Sequence, residues 1–235
     1  MSAADALRAL ARAEDSFTTI QLDCLAEYNT AQLEAASGRS SSGGVRIADP
    51  TAENPQRFRH DWRVWWRRPD CWRDDIIWDT GHSAVSIVCG GASSSHVSAL
   101  DPRHMPSKAP SFLARLGRRF TRQEFSYEPT LAERLSQMPL VQPQGLMHGW
   151  SLATRDSVEH IGRAALRVRA TRGPDAAQFG MWDYVDVYDV DIDQERGVLL
   201  RCAAIIGGSE ASVLTVRSVR FDEPISAEPF APAGA

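Results

Sequence analysis

Five carboxylates in one stretch, Asp183, Asp186, Asp189, Asp191 and Asp193, offer this chain its most direct route to chemistry, since a hard cation needs clustered oxygen ligands. Asp189-x-Asp191-x-Asp193 matches the first positions of an EF-hand loop. The match then fails, because Gln194 stands where the sharp turn needs glycine and Leu200 where the loop needs a bidentate glutamate. On a strand the same carboxylates would alternate outward to water while Tyr188, Val190 and Ile192 face inward, and that is the expected arrangement. A serine nucleophile is the second route. Gly149-Trp150-Ser151-Leu152-Ala153, with His148 beside it, is one residue short of the GxSxG elbow, and the residues after Ser151 read as strand where the elbow needs a helix. The six histidines show neither HxH nor HExxH spacing, and no glycine-rich phosphate loop is present. Cys24, Cys71, Cys89 and Cys202 stand singly, without the CxxC spacing of zinc or redox sites. An even count permits two disulfides in an oxidising compartment, but reduced packing cysteines are the simpler expectation. The residues therefore predict no enzyme, no metal site and no cofactor.

The elements that carry these residues read most plainly at the C-terminal end. DYVDVYDVDID, the turn QERG, GVLLRCAAII, the turn GGSE and ASVLTVRSVRF form a β-meander, with Gly197 and Gly207-Gly208 supplying positive φ at the reversals. Val213, Thr215, Val219 and Phe221 share one face of the last strand, and Leu214 and Val216 lie on the other. A sheet apolar on both faces needs helices over one of them and more core or a ligand against the other. Upstream, Ser2 and Asp5 make a capping-box variant ahead of a helix over 3–15, and TTIQLDCLAEYN alternates as a half-buried strand. Ser, Gly and Pro dominate a connection over 37–54 around a short strand at Val45 to Ile47. Strands are predicted at 83–89, 94–99, Trp150 to His160 and Ala164 to Thr171, with a tight turn at Ile161-Gly162-Arg163. Between 104 and 148 alternation vanishes, and FLARLGRRF and LAERLSQM give short helical patterns broken by prolines. This segment is expected to cover the sheet, and residues 222–235 to form an extended tail.

RFRHDWRVWWRRPDCWRDDIIWD reads as a hairpin turning at Arg68-Pro69-Asp70. Trp62, Val64 and Trp66 share one face, and Trp72, Ile76 and Trp78 share a face of the return strand. A buried tryptophan hides about 150–250 Å², so this many would be costly to leave wet. They pack beneath the helical segment, or together with Trp150 they line a cavity for an acyl chain or other lipophile. Arg63, Arg67, Arg68 and Arg73 flank them, either as a solvated face or as contacts for an acidic headgroup or a partner; Arg63, Arg67 and Arg73 are the candidates for that contact.

At 235 residues and 43% apolar, the chain is long enough for one domain with a substantial core. A net charge of −4 argues against nucleic acid, which asks for a basic surface. No apolar run approaches a membrane span. MSAADALRALARAEDSF lacks the apolar region and cleavage site of an export signal, so the sequence as it stands reads as cytoplasmic.

The order of helix, strands, tryptophan- and arginine-rich hairpin with proline at its tip, helical insert and further strand pairs resembles the LolA-like superfamily of bacterial lipoprotein carriers. The matching stretches are WRVWWRRPDCWRDDI, VEHIGRAALRVRATR and YDVDIDQERGVLLR followed by VRFDEPISAEPF, and they look like the actinobacterial outer-membrane-lipoprotein-sorting or RseB-like sigma-factor-regulatory branch. The resemblance covers most of residues 3–230 and implies an α+β fold. A large curved antiparallel sheet forms an unclosed half-barrel, whose concave face is covered by the N-terminal helix and the short-helix insert. It further implies non-enzymatic binding of a lipophilic ligand such as an acyl chain or, alternatively, docking of a regulatory protein partner. Relatives are often exported. A third alternative is an enzyme that has turned the cavity to catalysis.

Overall fold

The computed structural model describes residues 2–13, 15–37, 57–78, 83–90, 92–98, 138–177, 179–180 and 184–231. The expected connection over 37–54, apart from Ser37, and the expected insert over 104–148 as far as residue 137 lie outside them. Strands β1 (Thr19–Asn29), β2 (Arg57–Arg67), β3 (Cys71–Trp78), β4 (Ser83–Cys89), β5 (Ala92–Ser98), β6 (Trp150–His160), β7 (Arg163–Arg172), β8 (Val187–Asp193), β9 (Leu199–Ile206) and β10 (Ser209–Phe221) form one sheet. Its order is β5-β4-β3-β2-β1-β10-β9-β8-β7-β6, and every pair is antiparallel. β5 and β6 are its edges, so the sheet is open.

It is also strongly coiled. His160 Nε2 on β6 lies 2.9 Å from the Val216 carbonyl oxygen on β10. Four strand steps separate these strands, a span of roughly 19 Å in a flat sheet. Bulges at Arg217 on β10, opposite Asp23/Cys24 of β1, at Thr154/Asp156 on β6 and at Glu210/Ser212 on β10 supply the local bending.

The inner face carries the core, from Ile20, Leu22, Cys24 and Ala26 of β1 across to Val168 and Ala170 of β7. Helix α1 (Ala3–Arg12) begins as expected, with the Ser2 N–H donating to the Asp5 carboxylate at 2.7 Å, and it buries Ala6, Ala9 and Leu10. It stops at Arg12, short of the expected end, because the guanidinium of Arg68 closes it off. Arg68 Nη2 donates to the Ala13 carbonyl at 3.1 Å while stacking over Phe17 at 4.7 Å and Trp66 at 4.5 Å. Gly197 in the β8–β9 turn has φ +76°, and a Cβ there would meet the Ala9 carbonyl oxygen at 1.9 Å. The α1 backbone therefore rests on that turn. A second helix, α2 (Thr30–Ser37), follows β1 directly; Asn29 Oδ1 accepts from the Gln32 N–H at 3.2 Å and starts it. Nothing in the alternation of β1 announces it. Of the expected insert, the described part buries Met138, Leu140, Val141 and Leu146 and holds a 3₁₀ turn, Pro143–Met147. No described helix is long and apolar enough to cross a membrane.

Two expectations need correction. Cys71 and Cys89, at facing ends of β3 and β4, are joined in a disulfide, whereas Cys24 and Cys202 are buried free thiols. The antiparallel register brings the first pair together although the sequence holds them eighteen residues apart. The aspartate row does not simply face water: Asp191 and Asp193 are each 1% exposed. Arg167 of β7 grips Asp191 through two bonds of 2.8 and 3.0 Å, Arg169 grips Asp189 at 2.8 and 2.6 Å, and Arg163 binds Asp193. Cross-strand register sets carboxylate against guanidinium, and Tyr188, Val190 and Ile192 do point inward.

The β6–β7 turn carries a removable cost. Ile161 sits at φ +49° before Gly162 at φ +74°, a backbone region that penalises a β-branched side chain. Ile161 is 40% exposed, so little packing offsets that cost. Ile161→Asn creates the Asn-Gly pair such turns prefer and is expected to stabilise the protein by about 1 kcal/mol, read as a higher urea midpoint at unchanged slope.

Candidate functional site

Three cross-strand rows build the inner face of β1–β4. Ile20, Trp66, Trp72 and Val88 form the first; Leu22, Val64, Asp74 and Ser86 the second; Cys24, Trp62, Ile76 and Ala84 the third. Trp62, Val64, Trp66 and Trp72 are buried, and Ile76 packs against them half-buried. Trp66 meets Phe17 and Trp72 edge-on, at centroid distances of 5.5 and 6.1 Å. Trp78 pairs with His60 in the ladder; its side chain lies outside the described residues.

The centre of this apolar face is a carboxylate. Asp74, 2% exposed, accepts from Trp72 Nε1–H at 2.9 Å on one oxygen and from Trp62 Nε1–H at 3.3 Å on the other. Burying a carboxylate is costly without such donors, and the two indoles orient it. Sequence reasoning misses it, although the alternation Trp72-x-Asp74-x-Ile76 places it among the indoles. Asp75, its neighbour, points outward to Arg73.

His60 stands on the same face, 5% exposed, stacked on Tyr28 at 5.5 Å and tilted against Trp62 at 6.1 Å. Burial lowers its pKa to about 4, with Asp61 opposing only weakly, so the ring is neutral near neutral pH. Burial also raises the pKa of the Tyr28 hydroxyl, and pushes the Cys24 thiol up from its ordinary value.

Trp150 belongs to a second group of aromatic rings within the same core. On β6 it packs with Phe179 and Tyr188, 6.0 and 5.6 Å away, and its Nε1–H donates to the Ala177 carbonyl at 2.9 Å. The inner face is thus lined by indoles in two places, at β2–β3 and at β6.

Arg63, Arg67 and Arg73 lie on the outer face. Arg63 is exposed, with Asp23 3.7 Å away. Arg73 makes a bidentate pair with Asp75 at 2.7 and 2.8 Å and donates to the Pro229 carbonyl at 2.9 Å. Arg67 donates to Ile225 O at 3.5 Å and stacks over Phe230 at 5.0 Å. Expected to meet a headgroup or a partner, Arg67 and Arg73 are engaged by the chain's own C-terminal segment. Ser151 is exposed on the edge strand β6, and among the described residues no group of three or more His, Cys, Asp or Glu could hold a metal.

Over 98% of its length the chain matches the crystal structure of MucB, an RseB-like protein, at a TM-score of 0.54 and 13% identity. The chain has the fold of MucB. It spans 64% of MucB's length. The lipoprotein LppX of Mycobacterium tuberculosis is similar at a TM-score of 0.49 and 14% identity, over 94% of this chain and 95% of that one. A LolA superfamily protein from Nitrosomonas europaea gives a TM-score of 0.30 and 10% identity over 99% and 98%. No family model and no curated protein matches the sequence. In this sheet the tryptophan hairpin lies on the far side of β1 from β10, so the indoles of β2 and β3 and that of β6 occupy opposite wings.

Proposed function

We propose that the protein binds a lipophilic molecule with an acyl chain along the inner face of the sheet, without catalysis. The observation that carries this reading is the inner face of β2–β3, where Trp62, Val64, Trp66, Trp72 and Ile76 form a continuous apolar wall around one oriented carboxylate. Such a surface, mostly apolar with few placed polar groups, suits a ligand with a long hydrocarbon part and a hydrogen-bonding end. Trp150 on the other wing would meet the same chain further along. The LolA-like resemblance supports the proposal, since it implies lipophile binding. Where the protein acts belongs to the same proposal: the Cys71–Cys89 disulfide supports an oxidising compartment over a reducing one.

The test is direct. A brominated fatty acid titrated into the delipidated protein is expected to quench its tryptophan fluorescence saturably, and Trp62→Ala to weaken that binding by about tenfold, the loss of roughly 1.4 kcal/mol of apolar contact. Native mass spectrometry of protein from its own host should show a copurifying lipophile. No saturable quenching in protein that melts cooperatively, together with no copurifying lipophile, would sink the proposal.

A further inference from the structure

Residues 223–231 cross the outer face of β2–β4, opposite the tryptophan wall. Ile225 and Phe230 are buried there against Cys71 and Ile87, with Trp65, Val85 and Cys89 packed around them. This is an apolar island on a face that otherwise carries charge, such as Asp23, Arg63 and Asp75. The disulfide fixes β3 to β4 beneath it. Ser226, Ala227 and Glu228, between the anchors, are exposed.

How the segment is held matters more than that it is held. Among the described residues, the hydrogen bonds that tie 224–231 to the sheet come from Arg67 and Arg73, and both go to backbone carbonyls, Ile225 O and Pro229 O. Among the same residues, no strand pairing secures it beyond Asp222, whose N–H donates to the Thr19 carbonyl at 2.9 Å, and the Thr19 hydroxyl donates to the Glu223 carbonyl at 2.7 Å at its root. A receptor that reads two side chains and two carbonyls is indifferent to the residues between them. A peptide that takes a short 3₁₀ turn at its second anchor, as Glu228–Phe230 does here, presents those carbonyls. Arg73 is aimed by its bidentate bond to Asp75, and its guanidinium also stacks over Trp65 at 5.2 Å, so the donor stays in place when the segment leaves. Two anchors on an otherwise exposed segment, set against the entropy of ordering it, make the contact one that can open locally while the sheet stays folded.

We propose that the outer face of β2–β4 is a peptide-docking site occupied in cis by residues 223–231. Its partner in trans is a segment of another chain that closes in the same 3₁₀ turn, with an aliphatic residue, four residues of free choice apart from a proline at the last, and then an aromatic. The site is independent of the lipophile reading, since it lies on the other side of the sheet.

The experiment uses the full chain. A fluorescent peptide of residues 222–231 is titrated into wild-type protein and into Ile225→Ala/Phe230→Ala, whose receptor face is intact and whose own segment is weakened. Binding to the double variant is expected to be at least tenfold tighter than to wild type. Adding Arg73→Ala should lose about tenfold again, and a peptide with both anchors replaced by alanine should not bind. Equal binding to wild type and double variant, or none to either, overturns the proposal. Native-state hydrogen exchange of the wild type supplies a readout free of substitutions. Opening of residues 224–231 at denaturant concentrations where β2–β4 stay protected is expected, and exchange of that segment only with global unfolding overturns it.

Discussion

Replacing Asp193 by alanine is expected to cost about 3–5 kcal/mol, the range for removing one partner of a buried ion pair. Asp193 is 1% exposed, yet its carboxylate serves three donors. The Glu195 and Arg196 amides donate to Oδ1 at 2.9 and 2.7 Å, closing the β8–β9 turn, and the Arg163 guanidinium binds both oxygens. The turn in turn supports distant parts of the chain. Arg12 Nη1 donates to the Gln194 carbonyl at 2.8 Å, Ser16 Oγ to Arg196 O at 2.7 Å, and Arg196 pairs with Asp222 at 2.8 Å. Loss of the carboxylate therefore strands a partly buried guanidinium and two amides, and loosens the seat of α1. Asp193→Asn keeps an acceptor for the amides and should lose less than half as much. Urea unfolding of both variants measures this; a cost below about 1 kcal/mol for Asp193→Ala would mean the carboxylate is solvated and the turn holds itself.

Asp193 also shows where the sequence is legible and where it is not. Alternation in DYVDVYDVDID places Tyr188, Val190 and Ile192 inward correctly, because period two is a property of the strand itself. The fate of the aspartates depends on which strand lies beside β8. The arginines of β7 are twenty to thirty residues away in sequence, and only the pairing of β7 with β8 brings them to the aspartates. The cysteines obey the same rule: nothing local distinguishes Cys71 from Cys24, and the facing of β3 and β4 does. The tryptophan face is readable because Trp62, Val64 and Trp66 repeat within one strand. Asp74 is readable by that same alternation and escapes notice because a buried carboxylate runs against composition. The C-terminal segment is not readable as a docked element, since Ile225 and Phe230 have no periodicity and their receptor is assembled from three strands.

The inner and outer faces thus use their charges differently. Outside, every described aspartate of β8 is matched to an arginine: Asp189 and Asp191 to the arginine on their own rung of the ladder, and Asp193 to Arg163, two residues from the Ala165 it faces. Inside, Asp74 is satisfied by indoles and His60 is kept neutral by burial. A face arranged this way tolerates hydrocarbon. It does not tolerate a new charge.

Acid is expected to introduce that charge at His60. Its folded pKa, about 4, lies below the ordinary 6.5 because burial penalises the imidazolium. The unfolded chain therefore takes up the proton first, and stability falls as pH falls. The loss starts near pH 6.5, runs at up to ~1.4 kcal/mol per pH unit, and is complete near pH 4, for a total of about 3 kcal/mol. Asp5, Asp189 and Asp222 have pKa values below the usual carboxylate range through hydrogen bonds to Ser2, Arg169 and Thr18, so their losses come at lower pH. Between about pH 6.5 and 5 the difference between wild type and His60→Phe isolates the histidine, because every other group is common to both. The phenylalanine keeps a ring against Tyr28 and cannot be protonated. Urea midpoints measured across that window should fall for wild type and stay nearly level for His60→Phe. Parallel curves would show that His60 is protonated without cost, and with that the inner face would lose its claim to be a dry, apolar wall.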